Sequence, residues 1–139
     1  MAKRIEFQKF AQAFRKEQIN LPKILGNIAL VHFRKSFRDE GFTDETLSKW
    51  VPRKHQNKAD RRTKRRRALL VDSGNLRKSL RVKSANFRSI RVGSYGIPYA
   101  ERHNKGLGGM PKRQFIGRSA MLRRKMEDRI GREIRKVFG

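Results

Sequence analysis

Apolar residues recur every three or four positions near the start of the chain, which is the spacing of one helix face. A first helix is predicted by Phe7, Phe10, Ala11 and Phe14. Asn20-Leu21-Pro22 interrupts the pattern, and Asn20 is suited to cap a second helix. That helix continues along the apolar stripe 24–37 towards Gly41, a suitable helix end. The pattern predicts a helical region over 1–41, whose aromatic stripe indicates core packing more readily than a partner-binding face.

A polar stretch after Phe42 leads to Trp50-Val51-Pro52 and then to a strongly basic run over 53–67. Its cations are Arg53, Lys54, Lys58, Arg61, Arg62, Lys64, Arg65, Arg66 and Arg67. Only Asp60 opposes them, and the run has almost nothing to bury, so we expect a mobile loop. Two interpretations remain open: contact with DNA phosphates or an acidic partner, and a solvated loop that merely keeps copies apart.

The region 68–117 is predicted to be rich in β-structure. Apolar and basic residues alternate over 80–83 and again over 89–92, as in half-buried strands, with Ser84-Ala85-Asn86 as the hairpin connection. A short helix or strand entry is predicted from Leu76, and a short helix over 99–103. The glycines at 106–109 indicate a loop, and 112–116 is expected to add a third strand.

The last segment, 118–138, has the clearest helical pattern. Its apolar positions step by four residues along one face: Leu122, Met126, Ile130, Ile134 and Phe138. Ser119 is placed to cap its first turn. The order of elements predicts one α+β domain over 1–139. A small antiparallel sheet, a meander, packs against the N-terminal helices and the long C-terminal helix, with the basic loop on the outside.

The composition limits the size of the hydrophobic core and gives the chain a strong positive charge. The 139 residues carry a net charge of +25, and 36% of them are apolar, so a single small core is expected. An anionic partner must offset that charge; nucleic acid is favoured over a membrane surface or an acidic protein assembly. Cysteine is absent, which excludes disulfides and thiolate metal sites. No apolar stretch approaches the ~20 residues of a membrane-spanning helix.

The sequence offers little for catalysis or for a cofactor. His32, His55 and His103 lie far apart, without a second ligand at a metal-binding spacing. Neither a nucleophile elbow nor a phosphate-binding glycine loop occurs. The acids between Asp39 and Glu45 flank a helix end, where a solvated patch or a contact with a basic neighbour explains them. We therefore expect no enzyme activity, no metal and no cofactor.

Several short strings, taken together in their order, resemble a known family. They are Trp50-Val51-Pro52, Leu69-Leu70, Ser73-Gly74-Asn75-Leu76-Arg77-Lys78-Ser79, Val92-Gly93-Ser94, Tyr99-Ala100-Glu101-Arg102-His103-Asn104-Lys105-Gly106 and Pro111-Lys112-Arg113-Gln114-Phe115-Ile116-Gly117. This order is similar to that of the phage virion morphogenesis family, the tail-completion or head–tail joining proteins of long-tailed and Mu-like bacteriophages. The resemblance covers about 21–138. The chain departs from the family pattern in its Arg-rich loop and at Lys112-Arg113-Gln114.

The residue types in these strings suit a scaffold. Gly74 and Gly93 permit backbone angles that a Cβ forbids, and Trp50, Tyr99 and Phe115 offer large surfaces to bury. Internal packing is the favoured role for these three aromatic residues. Two arginines are candidates for bidentate contacts within or between subunits: Arg77 and Arg113.

The resemblance implies a structural virion protein at the neck or tail top, without enzyme activity, made in the host bacterial cytoplasm. It implies a ring of copies, taken here as a hexamer, around the DNA channel. The implied partners are portal or connector proteins, tail-terminator or tail-tube proteins, and the DNA in the channel, but no membrane. The alternative is a stand-alone basic nucleic-acid-binding protein, which the charge supports, although no RRM, KH or helix-turn-helix signature appears.

Overall fold

A computed structural model describes residues 2–52, 69–70 and 74–138, with side chains from residue 7 onward. The basic run 53–67 lies outside the described residues. The first element is a single 38-residue helix, α1 (Ala2–Asp39), with Pro22 inside it. The prediction of two helices separated at 20–22 is therefore wrong, and Asn20 caps nothing.

Tertiary packing explains why α1 continues through its proline. A proline inside a helix costs about 3 kcal/mol, because it removes one backbone hydrogen bond and crowds the preceding turn. Phe10 packs edge-on against Phe138 on one side of Pro22, with ring centroids 4.9 Å apart. On the other side, Leu25 is buried in the core. Contacts on both sides of the break hold the two halves in one helix.

The end of α1 leads directly into a small hairpin. Glu40 takes a left-handed backbone conformation with φ 49°, the role expected of Gly41. Gly41 instead begins strand β1 (Gly41–Thr43), which pairs antiparallel with β2 (Leu47–Lys49). A Cβ on Gly41 would lie 2.5 Å from the Ser48 carbonyl oxygen, so close strand approach is what requires glycine here.

A second hairpin follows a short helix. Helix α2 (Asn75–Ser79) precedes β3 (Leu80–Ala85) and β4 (Ile90–Ser94), which pair antiparallel. The predicted hairpin is confirmed, but its connection is 86–89, since Ser84 and Ala85 are paired within β3. Its loop is closed by Asn86, whose Oδ1 accepts hydrogen bonds from the backbone N–H groups of Arg88 and Ser89 at 2.9 and 3.0 Å.

Two further helices complete the described chain. Helix α3 (Ala100–Lys105) ends at Gly106, and α4 (Ala120–Phe138) runs antiparallel to the chain's first helix along part of its length. The Ser119 hydroxyl accepts a hydrogen bond from the Leu122 N–H at 3.1 Å, which confirms the predicted cap. The expected third strand over 112–116 is wrong: that segment forms no strand, and side chains from elsewhere satisfy its backbone groups.

The core lies where the C-terminal half of α1 meets β3 and the segment before α4. Its most buried large side chains are Phe37, Leu80 and Phe115. Gly26 brings the β3–β4 hairpin close to α1, since a Cβ there would lie 3.1 Å from Val82. The α+β class and the long C-terminal helix are confirmed. The β-structure consists of two separate two-stranded sheets among the described residues, and no three-stranded meander joins them.

Candidate functional site

Three of the strings that carry the family resemblance, at 50–52, 99–106 and 111–117, are joined by hydrogen bonds near Trp50. Its indole is buried, and Nε1 donates a hydrogen bond to the Gln114 carbonyl oxygen at 2.8 Å. Phe37 lies between the Trp50 and Phe115 rings, at centroid distances of 5.8 and 5.3 Å. This aromatic cluster ties the end of α1, the residues before the basic run and the segment before α4 into one unit.

Asn104 fixes the same segment from the other side, and the sequence analysis did not single it out. Its Oδ1 accepts hydrogen bonds from the backbone N–H groups of Phe115 and Ile116, at 2.9 and 3.0 Å. The Arg113 N–H donates to the His103 carbonyl at 2.8 Å. An asparagine in the last turn of a short helix, two residues before a glycine, was the available signal, because its side-chain amide can reach a neighbouring loop.

Arg113, a candidate subunit contact, is engaged within its own chain. Its Nε and Nη2 donate hydrogen bonds to the Val51 carbonyl oxygen at 3.2 and 2.9 Å. The guanidinium therefore holds the residues that lead into the basic run. Arg77, the other candidate, lies exposed on α2.

Three other predicted structural residues differ in how they serve the fold. Gly74 precedes α2 with φ 76°, in the left-handed region that favours glycine. Gly93 has no positive φ; a Cβ there would lie 3.3 Å from the Tyr95 hydroxyl, so its role is to admit that ring. Tyr99, expected to be buried, is 43% exposed and stands edge-on to His103 at 5.8 Å. It follows β4 at the start of α3, outside the buried cluster, which corrects the packing prediction.

The segments on either side of the basic run are both held by Glu40. The Glu40 carbonyl accepts a hydrogen bond from the Trp50 N–H at 2.7 Å, and its carboxylate Oε1 accepts one from the Leu69 N–H at 2.8 Å. The nine candidate contact cations from Arg53 to Arg67 lie outside the described residues. Their contacts with DNA or an acidic partner stay a prediction.

An open apolar groove lies between the N-terminal half of α1, the tip of the β3–β4 hairpin and α4. Its volume is about 570 Å³. The apolar side chains that line it are Phe14, Leu21, Pro22, Leu25, Phe87, Ile90, Met126, Ile130, Ile134, Val137 and Phe138. Three of them are strongly exposed: Phe87 at 66%, Ile134 at 47% and Phe138 at 61%. Apolar surface gathered in a groove is the usual mark of an interaction site.

Two carboxylates border this groove. The buried Oε2 of Glu17 has no hydrogen-bond partner among the described residues. Glu133 accepts hydrogen bonds from Arg129 at 2.8 Å and Lys136 at 3.1 Å. The hydrogen bond from Lys136, together with that from Arg129, lowers the pKa of Glu133 and keeps it ionised. The groove is therefore apolar with charges of both signs at its border, because Arg88 also lines it and Glu133 is paired with two cations.

His32 and His103 are placed for structure, and His55 lies outside the described residues. His32 is buried, and its Nε2 lies 3.1 Å from the Thr43 carbonyl oxygen. Burial lowers the pKa of His32, and the charges of Lys125 and Lys35 add to the effect. Burial also lowers the pKa of His103, with Arg113 nearby. Within the described ranges, no group of three His, Asp or Glu side chains is arranged to hold a metal ion.

Comparison with known proteins gives the family. No helix in the described part of the chain is long and apolar enough to cross a membrane. Neither a curated protein nor a solved structure matches the sequence. The sequence matches the phage virion morphogenesis family over residues 21–135, from the middle of α1 to the end of α4. Because this match covers most of the chain, the chain belongs to the phage virion morphogenesis family, and its role is in building a phage virion.

Proposed function

We propose that this chain is a structural virion protein of the neck or tail top, needed for tail completion and head–tail joining, and that it acts as a ring around the DNA channel. The observation that carries the proposal is the open apolar groove, in a member of a virion morphogenesis family. A chain whose task is assembly needs surface that it leaves uncovered when alone, and the groove provides it.

The occupant of the groove in this proposal is a second copy of the same chain. The Glu17 Oε2, which has no partner among the described residues, and the groove's apolar walls fit a segment that is apolar and cationic. The loop after α3 has both properties: Leu107 is 46% and Met110 39% exposed, and the exposed Lys112 follows them.

The two surfaces lie at different places along α1. The groove lies beside Phe14 and Leu25, whereas the loop after α3 precedes Phe115, which packs on Phe37. Contact between unlike patches generates a ring when the rotation between copies closes. Each copy carries +25, so free copies repel one another. Assembly is therefore expected at a docked site or beside an anionic partner, with a monomer or small oligomer beforehand.

Electron microscopy of lysates from the parent phage or prophage with this gene deleted tests the function. Separated full heads and free tails, joined again when purified protein is added, are the expected result. Joined particles in normal yield without the gene would overturn it. That outcome would favour the alternative of a stand-alone nucleic-acid-binding protein.

The same complementation assay tests the groove with a matched pair of variants. Ile134→Lys places a cation in the groove, and Val31→Lys makes the same kind of change at an exposed residue outside it, where Val31 is 66% exposed. Ile134→Lys and Leu107→Ser are expected to lose joining, while Val31→Lys joins normally. Circular dichroism and thermal unfolding show that each variant folds. Normal joining by Ile134→Lys and Leu107→Ser would exclude the groove as the ring contact.

A further inference from the structure

One stretch of the described chain carries several exposed cations and no acidic residue. Between Gly74 and Ala100 there is neither Asp nor Glu. Six cations lie in this stretch, and all are exposed: Arg77, Lys78, Arg81, Lys83, Arg88 and Arg91. The cations of α4 differ, since several pair with carboxylates: Arg123 with Glu127, Arg124 with Glu45, and Arg129 with Glu133.

The pairing of β3 and β4 places the charges of this hairpin on its outer face. Val82 pairs with Val92 and turns inward, as its close approach to Gly26 of α1 shows. Arg81 pairs with Gly93 on the opposite face, and Arg91 alternates to that same outer face. The register shift between Val82 and Ser84 leaves Lys83 as an extra residue in β3.

Tyr95 organises the two cations of β3. The Arg81 Cζ and the Lys83 Nζ each lie 5.1 Å from the centroid of the Tyr95 ring. The ring itself lies over Gly93, which has no side chain to displace it. Two like charges on one ring repel each other, and the attraction of each cation to the ring only partly offsets that repulsion. An anion at this position is therefore stabilised by cations already held in place.

We propose that the outer face of the β3–β4 hairpin binds the phosphate backbone of double-stranded DNA, without reading its sequence, through Arg81, Lys83 and Arg91. The residues of the hairpin offer hydrogen-bond donors to this face and no carboxylate. A strand of six residues, such as β3, spans about 20 Å. Duplex DNA presents a charge about every 1.7 Å of its axis, so several phosphates fall within that length. This site would be the DNA-facing surface of the ring under the proposed function, but it is tested on purified protein, so either proposal can fail alone.

A salt titration with two charge-matched variants tests the site. The ribbon triple is Arg81→Gln, Lys83→Gln and Arg91→Gln; the control triple on α4 is Arg123→Gln, Arg124→Gln and Lys125→Gln. Both remove three positive charges from exposed positions. Binding of a fluorescent 30-base-pair duplex is measured by anisotropy over a range of KCl concentrations, after thermal unfolding has shown that both triples fold.

The two triples are expected to differ in salt dependence. Each phosphate contact contributes about 0.9 to the slope of log K against log salt, so the ribbon triple should lose about 2 to 3 of that slope. The control triple should lose less than about 1, as charge away from the contact acts only at long range. Equal losses in both triples would mean that net charge alone attracts DNA, and would overturn the proposal.

Tyr95 gives a test at constant charge. Tyr95→Phe keeps the ring and is expected to bind like the wild type, whereas Tyr95→Leu should bind about three- to tenfold more weakly. Equal binding by both variants would remove Tyr95 as a positioning residue. Poly-L-glutamate that displaces the duplex at equal charge concentration would reassign the face to an acidic protein. A strong preference for one duplex sequence would contradict recognition of the backbone.

Discussion

The Glu40 carboxylate accepts a hydrogen bond from the backbone N–H of Leu69, 29 residues further along the chain, at 2.8 Å. Glu40 also has a left-handed backbone, with φ 49°, which a non-glycine residue adopts at a cost. Its carbonyl receives the Trp50 N–H at 2.7 Å. One residue at the end of α1 therefore joins the two chain segments that flank the basic run.

Two substitutions at Glu40 distinguish the contribution of its side-chain hydrogen bond to stability from that of its backbone conformation. Glu40→Gln retains an oxygen that accepts from the Leu69 N–H, and Glu40→Ala does not. We expect Glu40→Ala to lose about 1–3 kcal/mol of unfolding free energy, and Glu40→Gln less than half of that loss. Urea unfolding followed by circular dichroism measures both. Faster hydrogen exchange at the Leu69 amide in Glu40→Ala alone would locate the effect; equal stability of Glu40→Ala and the wild type would refute it.

Arg113 allows an intrachain role to be distinguished from a subunit contact. Its guanidinium donates twice to the Val51 carbonyl, and lysine can supply only a single point of contact with the same charge. Arg113→Lys is therefore expected to lower the stability of the isolated chain by about 1 kcal/mol. The check is denaturant unfolding at a concentration where the protein is monomeric. Unchanged monomer stability together with lost assembly would return Arg113 to the role of a subunit contact.

The lowered pKa of His32 predicts that the folded chain loses stability on mild acidification. Burial lowers its pKa in the folded chain below the usual 6.5, so the unfolded chain binds the proton more readily. The stability that neutral His32 provides is complete above about pH 6.5 and is lost as the pH falls through the lowered folded value. Burial lowers the pKa of His103 as well, and its contribution has the same sign.

Urea midpoints at pH 7.5 and pH 5.0 measure this effect. The wild type is expected to lose stability between them, and His32→Gln, whose amide can still donate to the Thr43 carbonyl, should lose less. The double variant His32→Gln with His103→Gln should be nearly independent of pH in that window, which lies above the carboxylate range. A His32→Gln chain with the full wild-type pH dependence would disprove the assignment.

Local hydrophobic periodicity correctly predicted the elements in which the buried face can be read from the element's own sequence. The four-residue steps from Leu122 to Phe138 define α4, and the alternation at Val82 and Val92 defines the inward face of the second hairpin. Two helices were predicted where the structure has one, because sequence rules that consider only neighbouring residues end a helix at Pro22. On the N-terminal side of this proline, Phe10 packs on Phe138, and local periodicity does not contain such a contact between the two ends of the chain.

Parts of the candidate site could not be predicted from the sequence, because they too depend on contacts between residues far apart in the chain. The segment before α4 has two apolar residues, Phe115 and Ile116, and reads as a strand, yet its N–H groups go to Asn104. Trp50 was singled out as a structural residue, but its partner, the Gln114 carbonyl, is 64 positions away. The groove arises only when α1 and α4 lie side by side. The basic alternation of the second hairpin was visible in the sequence, while the position of Tyr95 beneath two cations depended on the pairing register.

The glycines after α3 offer a prediction in which one position serves as the control for another. Gly106 and Gly108 have similar left-handed backbones, with φ 70° and 66°. A Cβ on Gly106 would lie 2.9 Å from the backbone N and Cα of Lys112, whereas one on Gly108 would have nothing within 4 Å. Alanine at either position carries the same conformational strain of about 1–2 kcal/mol. In Gly106→Ala the new Cβ also overlaps with the Lys112 backbone, which cannot rotate away as a flexible side chain can.

We therefore expect Gly106→Ala to lose more unfolding free energy than Gly108→Ala, by roughly 1–3 kcal/mol, as for overpacking elsewhere. The loss should reach beyond the loop, because Lys112 leads into the Arg113 and Phe115 contacts. Weaker protection of the Phe115 amide, which donates to Asn104, should appear in Gly106→Ala and be absent in Gly108→Ala. Equal stability of the two variants would show that the loop moves away at little cost, and that Gly106 is required for its backbone angle alone.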